Sequence, residues 1–280
     1  MQLINTKKEL RSLLTSLDKN KSLGLVPTMG ALHLGHISLV EQSLKENDIT
    51  LVSIFVNPTQ FNNNEDLAQY PKTLDRDISL LRSVSRDVIV FAPTPEEIYS
   101  GEILSKSYDF GGLENKMEGK FREGHFNGVG TIVEILLTLI DPTRAYFGEK
   151  DFQQLQIIRK MVRTQGIPVE IIGCPIVREP SGLAMSSRNE RLSDALKKEA
   201  AFIYSTLQGA KKEFGMKSAD FVVDWVRKQF EAQQNFKLEY ITIVDENNLG
   251  PVIKKEKGTN YRAFIAVYIG DVRLIDNIAL

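Results

Sequence analysis

A chain of 280 residues with 42% hydrophobic and 25% charged side chains can bury a substantial core, arranged in one or two domains. A formal net charge of −1 excludes a global basic field of the kind that draws nucleic acid, and a single cysteine excludes an intrachain disulfide. No run approaches the roughly 18 apolar residues of a membrane span, and residues 1–8 lack the apolar core of a signal peptide, so a cytoplasmic protein is expected.

Residues 5–18 read as a helix capped by Asn5 or Thr6, with Leu10, Leu13, Leu14 and Leu17 on one face. Leu23 to Val26 reads as a strand and Ile37 to about Lys45 as a helix. Between them stands Pro27-Thr28-Met29-Gly30-Ala31-Leu32-His33-Leu34-Gly35-His36. Ile49 to Val56 is a near-continuous β-branched run that suits a strand buried on both faces of a parallel sheet. Asn57-Pro58-Thr59-Gln60-Phe61 follows its carboxyl end, and Asn62 to Asp66 reads as a polar loop. A helix is expected over 74–84 with Leu74, Ile78 and Leu81 inward, and a third strand over 87–91, stopped by Pro93 and Pro95. Residues 111–130 are rich in glycine and charge, as in a functional lid or a flexible surface excursion. Val129 to Ile140 reads as an apolar helix. Arg144 to Phe147 is a short strand, Gly148-Glu149-Lys150-Asp151 a polar turn, and the next helix turns Phe152, Leu155, Ile158, Met161 and Val162 inward. Val169 to Gly173 is a further strand, ended by Cys174-Pro175. The alternation predicts an α/β fold, a Rossmann-like parallel sheet over residues 1–175. Beyond it the rhythm changes to two helices, about 193–213 and 218–232, and two strands, around 238–244 and 262–270. Residues 176–280 are therefore expected to form a smaller α+β domain.

The chain holds three histidines, and two of them, His33 and His36, stand three residues apart between a strand and a helix. Metal binding is disfavoured, because no Cys or third His is near in sequence. Satisfied structural histidines are the ordinary case, but a pair bracketed by Gly30 and Gly35 points to phosphate, held at a helix N-terminus with imidazole donors. Neither a GxxxxGK[ST] loop nor a GxGxxG fingerprint is present, so any nucleotide is bound by another route. Met185-Ser186-Ser187-Arg188 offers two hydroxyls and a guanidinium, and Lys150 and Asp151 a cation and an anion; each set alone is equally well a solvated surface cluster. Gln60 and Gln154 follow strand ends, where uncharged amides orient small polar substrates. Asp75 and Asp77 could help hold Mg²⁺, although carboxylates on an exposed helix face are usually solvated. Cys174 lacks a histidine partner in sequence, and the lone Trp225 reads as packing.

The turn ending in His33-Leu34-Gly35-His36 resembles the HxGH signature of the class I nucleotidyl-transfer superfamily, and Met185 to Arg188 looks like its KMSKS loop. Phe55 to Phe61, Tyr70-Pro71-Lys72-Thr73, Gly124 to Val129, Phe147 to Leu155, Ser186 to Asn189 and Arg273-Leu274-Ile275-Asp276-Asn277 resemble, in order, the blocks of the pantoate–β-alanine ligase family. The resemblance implies a two-step condensation of (R)-pantoate with β-alanine. ATP is the co-substrate, pantoyl adenylate the intermediate, and pyrophosphate and AMP the leaving products. It implies that Met29, Gly30, Ala31, Leu32, His33, Leu34, Gly35 and His36 line the ATP site, with His36 the proton donor at the phosphates. Gly148, Glu149, Lys150, Asp151, Val177, Met185, Ser186, Ser187 and Arg188 would complete that site, with Lys150 and Arg188 on phosphates. Gln60 would touch pantoate and β-alanine, and Gln154 would hold pantoate. Mg²⁺ would accompany ATP, with Asp77 its candidate protein ligand; Arg76 stands where some members carry a further acid, which weakens that role. The family also implies a homodimer, and a C-terminal domain that acts as a lid carrying the Met185–Arg188 loop. Two rivals remain: another HxGH nucleotidyltransferase, and a nucleotide-binding module without turnover.

Overall fold

The computed structural model describes residues 1–61, 64–99 and 101–280. They form two compact units, Met1–Pro175 and Ile176–Leu280. The first contains β1 (Gln2–Ile4), α1 (Lys7–Ser16), β2 (Leu23–Thr28), α2 (Leu34–Glu46), β3 (Ile49–Ile54), α3 (Asn64–Gln69), α4 (Leu74–Val84), β4 (Ile89–Phe91), α5 (Pro95–Tyr99), α6 (Met117–Phe121), α7 (His125–Ile140), β5 (Arg144–Gly148), α8 (Phe152–Gln165) and β6 (Glu170–Cys174). Its six strands pair in parallel in the order β1-β4-β3-β2-β5-β6. Leu25, Val26, Leu51, Val52 and Val90 are fully buried, as β-branched and leucine runs must be when helices cover both faces.

Local chemistry fixes the helix ends. The Thr6 hydroxyl accepts from the Glu9 amide at 3.2 Å, and the Glu9 carboxylate accepts from the Thr6 amide at 3.1 Å, a reciprocal cap that starts α1. Asn62 and Asn63 lie outside the described residues, and the polar run expected as loop is helical from Asn64. Leu74, expected inward, is the first residue of α4 and is exposed; Ile78 and Leu81 are buried as expected. Residues 111–130 are not a long loop. They contain α6 and the first turns of α7, which starts at His125 rather than Val129. The glycines there serve close packing. A Cβ at Gly128 would stand 2.2 Å from the Thr59 carbonyl oxygen, so only glycine lets α7 lie against the loop after β3.

The second unit contains α9 (Asp194–Phe214), α10 (Ala219–Glu231), β7 (Phe236–Asp245), β8 (Tyr261–Ile269) and β9 (Val272–Ala279). Its strands form an antiparallel sheet in the order β7-β8-β9. One core joins Ile203, Leu207, Val222 and Val226 of the helices to Ala263, Ile265 and Val267 of β8, with Trp225 packed at its edge. The third strand goes beyond the two that the sequence predicts, and it carries the Arg273–Asn277 block.

Candidate active site

In an open parallel sheet, ligands sit beyond the carboxyl ends of the strands, where the strand order reverses. From β2 the chain moves to β3 and then β4 on one side, and then returns to β5 on the other side of β2. The switch point therefore lies between β2 and β5. The His33–His36 turn leaves the end of β2, and the Gly148–Asp151 turn leaves the end of β5. Sheet order alone makes neighbours of two segments that stand far apart in sequence.

His33 is the N-cap of α2, and His36 lies in its first turn. The Gly35 amide donates to His33 Nδ1 at 3.1 Å, and the His33 amide donates to His36 Nδ1 at 3.3 Å. With Nδ1 accepting, the neutral tautomer of each ring keeps its proton on Nε2. The ring centroids are 4.0 Å apart. Burial pushes His33 down to about 4, with the Lys150 charge adding to the fall and Asp151 opposing it. His36 is driven well below its ordinary range by burial, then by His33 and Lys150. Near neutral pH both rings are uncharged N–H donors, set at the positive end of a helix.

The carboxylate of Asp77 organises the turn. One oxygen accepts the Ala31 amide at 3.0 Å, and the other accepts the Leu32 amide at 2.8 Å and the Thr73 hydroxyl at 3.2 Å. Ala31 has φ 49°, a left-handed conformation that costs a non-glycine residue about 1 kcal/mol or more. The bond to Asp77 holds it there. The sequence places Asp77 on an exposed face as a candidate magnesium ligand; it is instead 1% exposed, and the turn occupies both its oxygens. Among the described residues no group of three or more His, Cys, Asp or Glu side chains is placed to hold a metal.

Gln60, after β3, is buried and its amide donates to Met29 Sδ at 2.6 Å. Its side-chain oxygen accepts from Asn57 Nδ2 at 3.2 Å, and Asn57 also donates to the Gly128 carbonyl at 3.0 Å. His125 Nδ1 stands 2.8 Å from the Gln60 carbonyl oxygen. Burial, with Arg122 as the second cause, pushes His125 down to about 3, so its ring is neutral and donates to that carbonyl. Asn57 and His125 fix Gln60, a task that sequence reasoning assigns to neither. The signal available is an Asn-Pro step after a buried strand and a histidine beside helical glycines. Gln154 lies half-buried in the first turn of α8. Its neighbour Gln153 is structural: it accepts the Glu118 amide at 3.0 Å and donates to the Leu113 and Lys116 carbonyls at 2.9 and 2.7 Å. Lys150 lies 3.6 Å from Asp151 in the turn after β5. Cys174 is buried and its thiol is pushed up to about 11, so it offers no thiolate.

In the second unit, Val177 and Met185 face each other across a narrow hairpin, the Met185 amide donating to the Val177 carbonyl at 3.0 Å. Ser186 then caps a 3₁₀ turn over Ser187–Arg191, its hydroxyl accepting the Arg188 amide at 3.3 Å. Ser187 is buried, and Met185, Ser186 and Arg188 are half-buried.

A parallel α/β sheet with an HxGH turn at its switch point, followed by a small antiparallel domain, defines an enzyme of the Rossmann-like class. The family model described as Pantoate-beta-alanine ligase matches residues 2–279, and the chain belongs to that family of carbon–nitrogen ligases. A pantothenate synthetase of Christiangramia forsetii is 61% identical over 260 residues, 93% of this chain and 92% of that protein. The crystal structure of a pantothenate synthetase from Thermus thermophilus superposes with a TM-score of 0.92 at 40% identity, covering 99% of each chain. That of a pantoate-beta-alanine ligase from Francisella tularensis, complexed with beta-gamma ATP and beta-alanine, superposes at 0.81 with 39% identity, covering 99% of this chain and 97% of that one.

Proposed function

We propose that this chain condenses (R)-pantoate with β-alanine at the expense of ATP. In the first step a pantoate carboxylate oxygen attacks the α-phosphorus, the bond to the bridging oxygen breaks, and pyrophosphate leaves. In the second the β-alanine nitrogen attacks the acyl carbon, the acyl–phosphate bond breaks, AMP leaves, and the amine proton passes to solvent. Family membership supports this reaction, and so does the Francisella relative bound to beta-gamma ATP and beta-alanine.

The observation that carries the reading is the pair of neutral imidazoles beside Lys150 at the switch point. Charge develops on phosphate oxygens in both steps, and fixed N–H donors and cations stabilise it without reorganising. In this reading His36 is the donor at the phosphates, with burial favouring the neutral form of its ring. His33 holds the nucleotide, Lys150 and Arg188 contact phosphates, and the remainder of Met29–His36, Gly148–Asp151, Val177 and Met185–Ser187 shape the ATP site. Gln60, locked by Asn57 and His125, orients pantoate and β-alanine, and Gln154 holds pantoate. Mg²⁺ enters with ATP. The described residues do not fit a resident magnesium site, since Asp77 is committed to the turn, and no step is assigned to the ion. The protein works in the cytoplasm as a homodimer. Among the described residues no helix is long and apolar enough to cross a membrane.

A coupled AMP assay tests the reading. AMP should appear only when ATP, pantoate and β-alanine are all present. Nucleotide turnover that ignores β-alanine would identify another HxGH nucleotidyltransferase. ATP binding with no turnover in the complete mixture would identify a binding module.

A further inference from the structure

The Arg273–Asn277 block lies on β9, far along the chain from the candidate site, and the reaction above gives it no task. The structure does. Asp276 is 5% exposed and receives a guanidinium fork from Arg178, Nη1 to Oδ2 at 2.7 Å and Nη2 to Oδ1 at 2.9 Å. The same guanidinium donates to the Gly182 carbonyl at 3.1 Å and the Asn277 carbonyl at 3.3 Å, and lies 3.6 Å from the Tyr204 ring centroid. Gly182, at φ +94°, rests on that ring: a Cβ there would meet Tyr204 Cδ1 at 2.7 Å.

Arg178 is thus fixed on several sides, and it begins the hairpin that leads into Met185–Arg188. It bridges Ala184 across the hairpin, and the Glu179 amide donates to the Leu183 carbonyl at 2.8 Å. The far side of the loop is tied by Asn189, whose amide donates to Glu179 Oε1 at 3.1 Å and to the Ala184 carbonyl at 3.0 Å. Met185, Ser186, Ser187 and Arg188 lie between the two anchors. A buried ion pair is poor as a stability device, because apolar residues of equal volume do as well. A bidentate fork instead sets a plane and a distance. We infer that Asp276, acting through Arg178, is a positioning residue that sets the conformation in which Ser186, Ser187 and Arg188 meet the ATP phosphates. The inference rests on the reading of that loop as part of the ATP site.

The test uses Asp276→Asn, which removes the charge, and Arg178→Lys, which keeps charge but loses the fork, with Arg188→Ala as reference. Hydrogen exchange is followed at the Glu179 and Met185 amides, and KM is measured for ATP and for β-alanine. In both clamp variants exchange at the hairpin should quicken while α10 keeps its protection. KM for ATP should rise about ten- to a hundredfold with KM for β-alanine unchanged. Should one variant fail to fold, the other decides. Unchanged hairpin exchange overturns the proposal, and so does quickened exchange with normal ATP kinetics while Arg188→Ala impairs them. An Arg188→Ala enzyme with normal ATP kinetics would instead remove the site reading itself, and this inference with it.

Discussion

At the scale of single residues, two side chains near the same turn do opposite kinds of work. His36 is a donor held by one backbone bond at the helix start, so its removal should cost rate rather than stability. His36→Ala is expected to lower kcat on the order of 10²- to 10³-fold, as loss of one fixed donor to a developing anion does. The thermal midpoint should move little, since only the His33 amide loses its acceptor, at about 1 kcal/mol. A near-normal kcat would end the phosphate role. Asp77 is the reverse case. Asp77→Ala removes the carboxylate that accepts the buried Ala31 and Leu32 amides, at about 1–3 kcal/mol for each lost acceptor, and releases the left-handed Ala31. Urea unfolding should show a loss of roughly 2–5 kcal/mol, with the Asn variant losing less. Unchanged stability, together with activity restored by excess Mg²⁺, would return Asp77 to the metal role first considered for it.

At the scale of elements, α7 shows what a sequence conceals. Its opening turns read as loop because Gly124, Gly128 and Gly130 are poor helix formers. Tertiary packing overrides that preference: Gly128 lies against Thr59 and Gln60, and Gly130 against the rings of Tyr108 and Phe110. Gly128→Ala would place a methyl 2.2 Å from the Thr59 oxygen and 2.7 Å from the Gln60 Cα, against backbone that cannot rotate away. It should destabilise the protein by about 1–3 kcal/mol. It should also raise KM for pantoate more than KM for ATP, because Gln60 moves while the His turn does not. Equal changes in both constants would show a general loosening instead. The same physics explains what is readable. The parallel strands announce themselves because both faces are buried, and the His turn because two imidazoles follow a strand end. The edge strand β1 is not legible, since Ile4 is its one buried residue of three. Nor is the task of Asp77, because a carboxylate that caps a distant turn looks like any other acid on an amphipathic helix.

At the scale of the whole molecule, the histidines are unevenly placed. The chain's three histidines all fall in the first unit, and burial depresses every one of them. Unfolding returns each ring to its ordinary value near 6.5, so below that pH the unfolded chain binds more protons than the folded one. The resulting stability is fully present above pH 6.5. It is lost as pH falls through the folded values, about 4 for His33 and about 3 for His125. Between about pH 6.5 and 4.5 most carboxylates remain ionised in both states, so the imidazoles set the slope, each adding up to about 1.4 kcal/mol per pH unit. Urea midpoints followed by far-UV circular dichroism should fall steadily across that window. Trp225, the one tryptophan, sits against the core of the second unit, which holds no histidine, so its fluorescence transition should shift less. His125→Asn should flatten the circular dichroism slope by about one proton, at the cost of some stability at neutral pH. An unchanged slope in that variant would mean that His125 is not held neutral against Gln60, and the anchoring of Gln60 by a neutral donor would have to be given up.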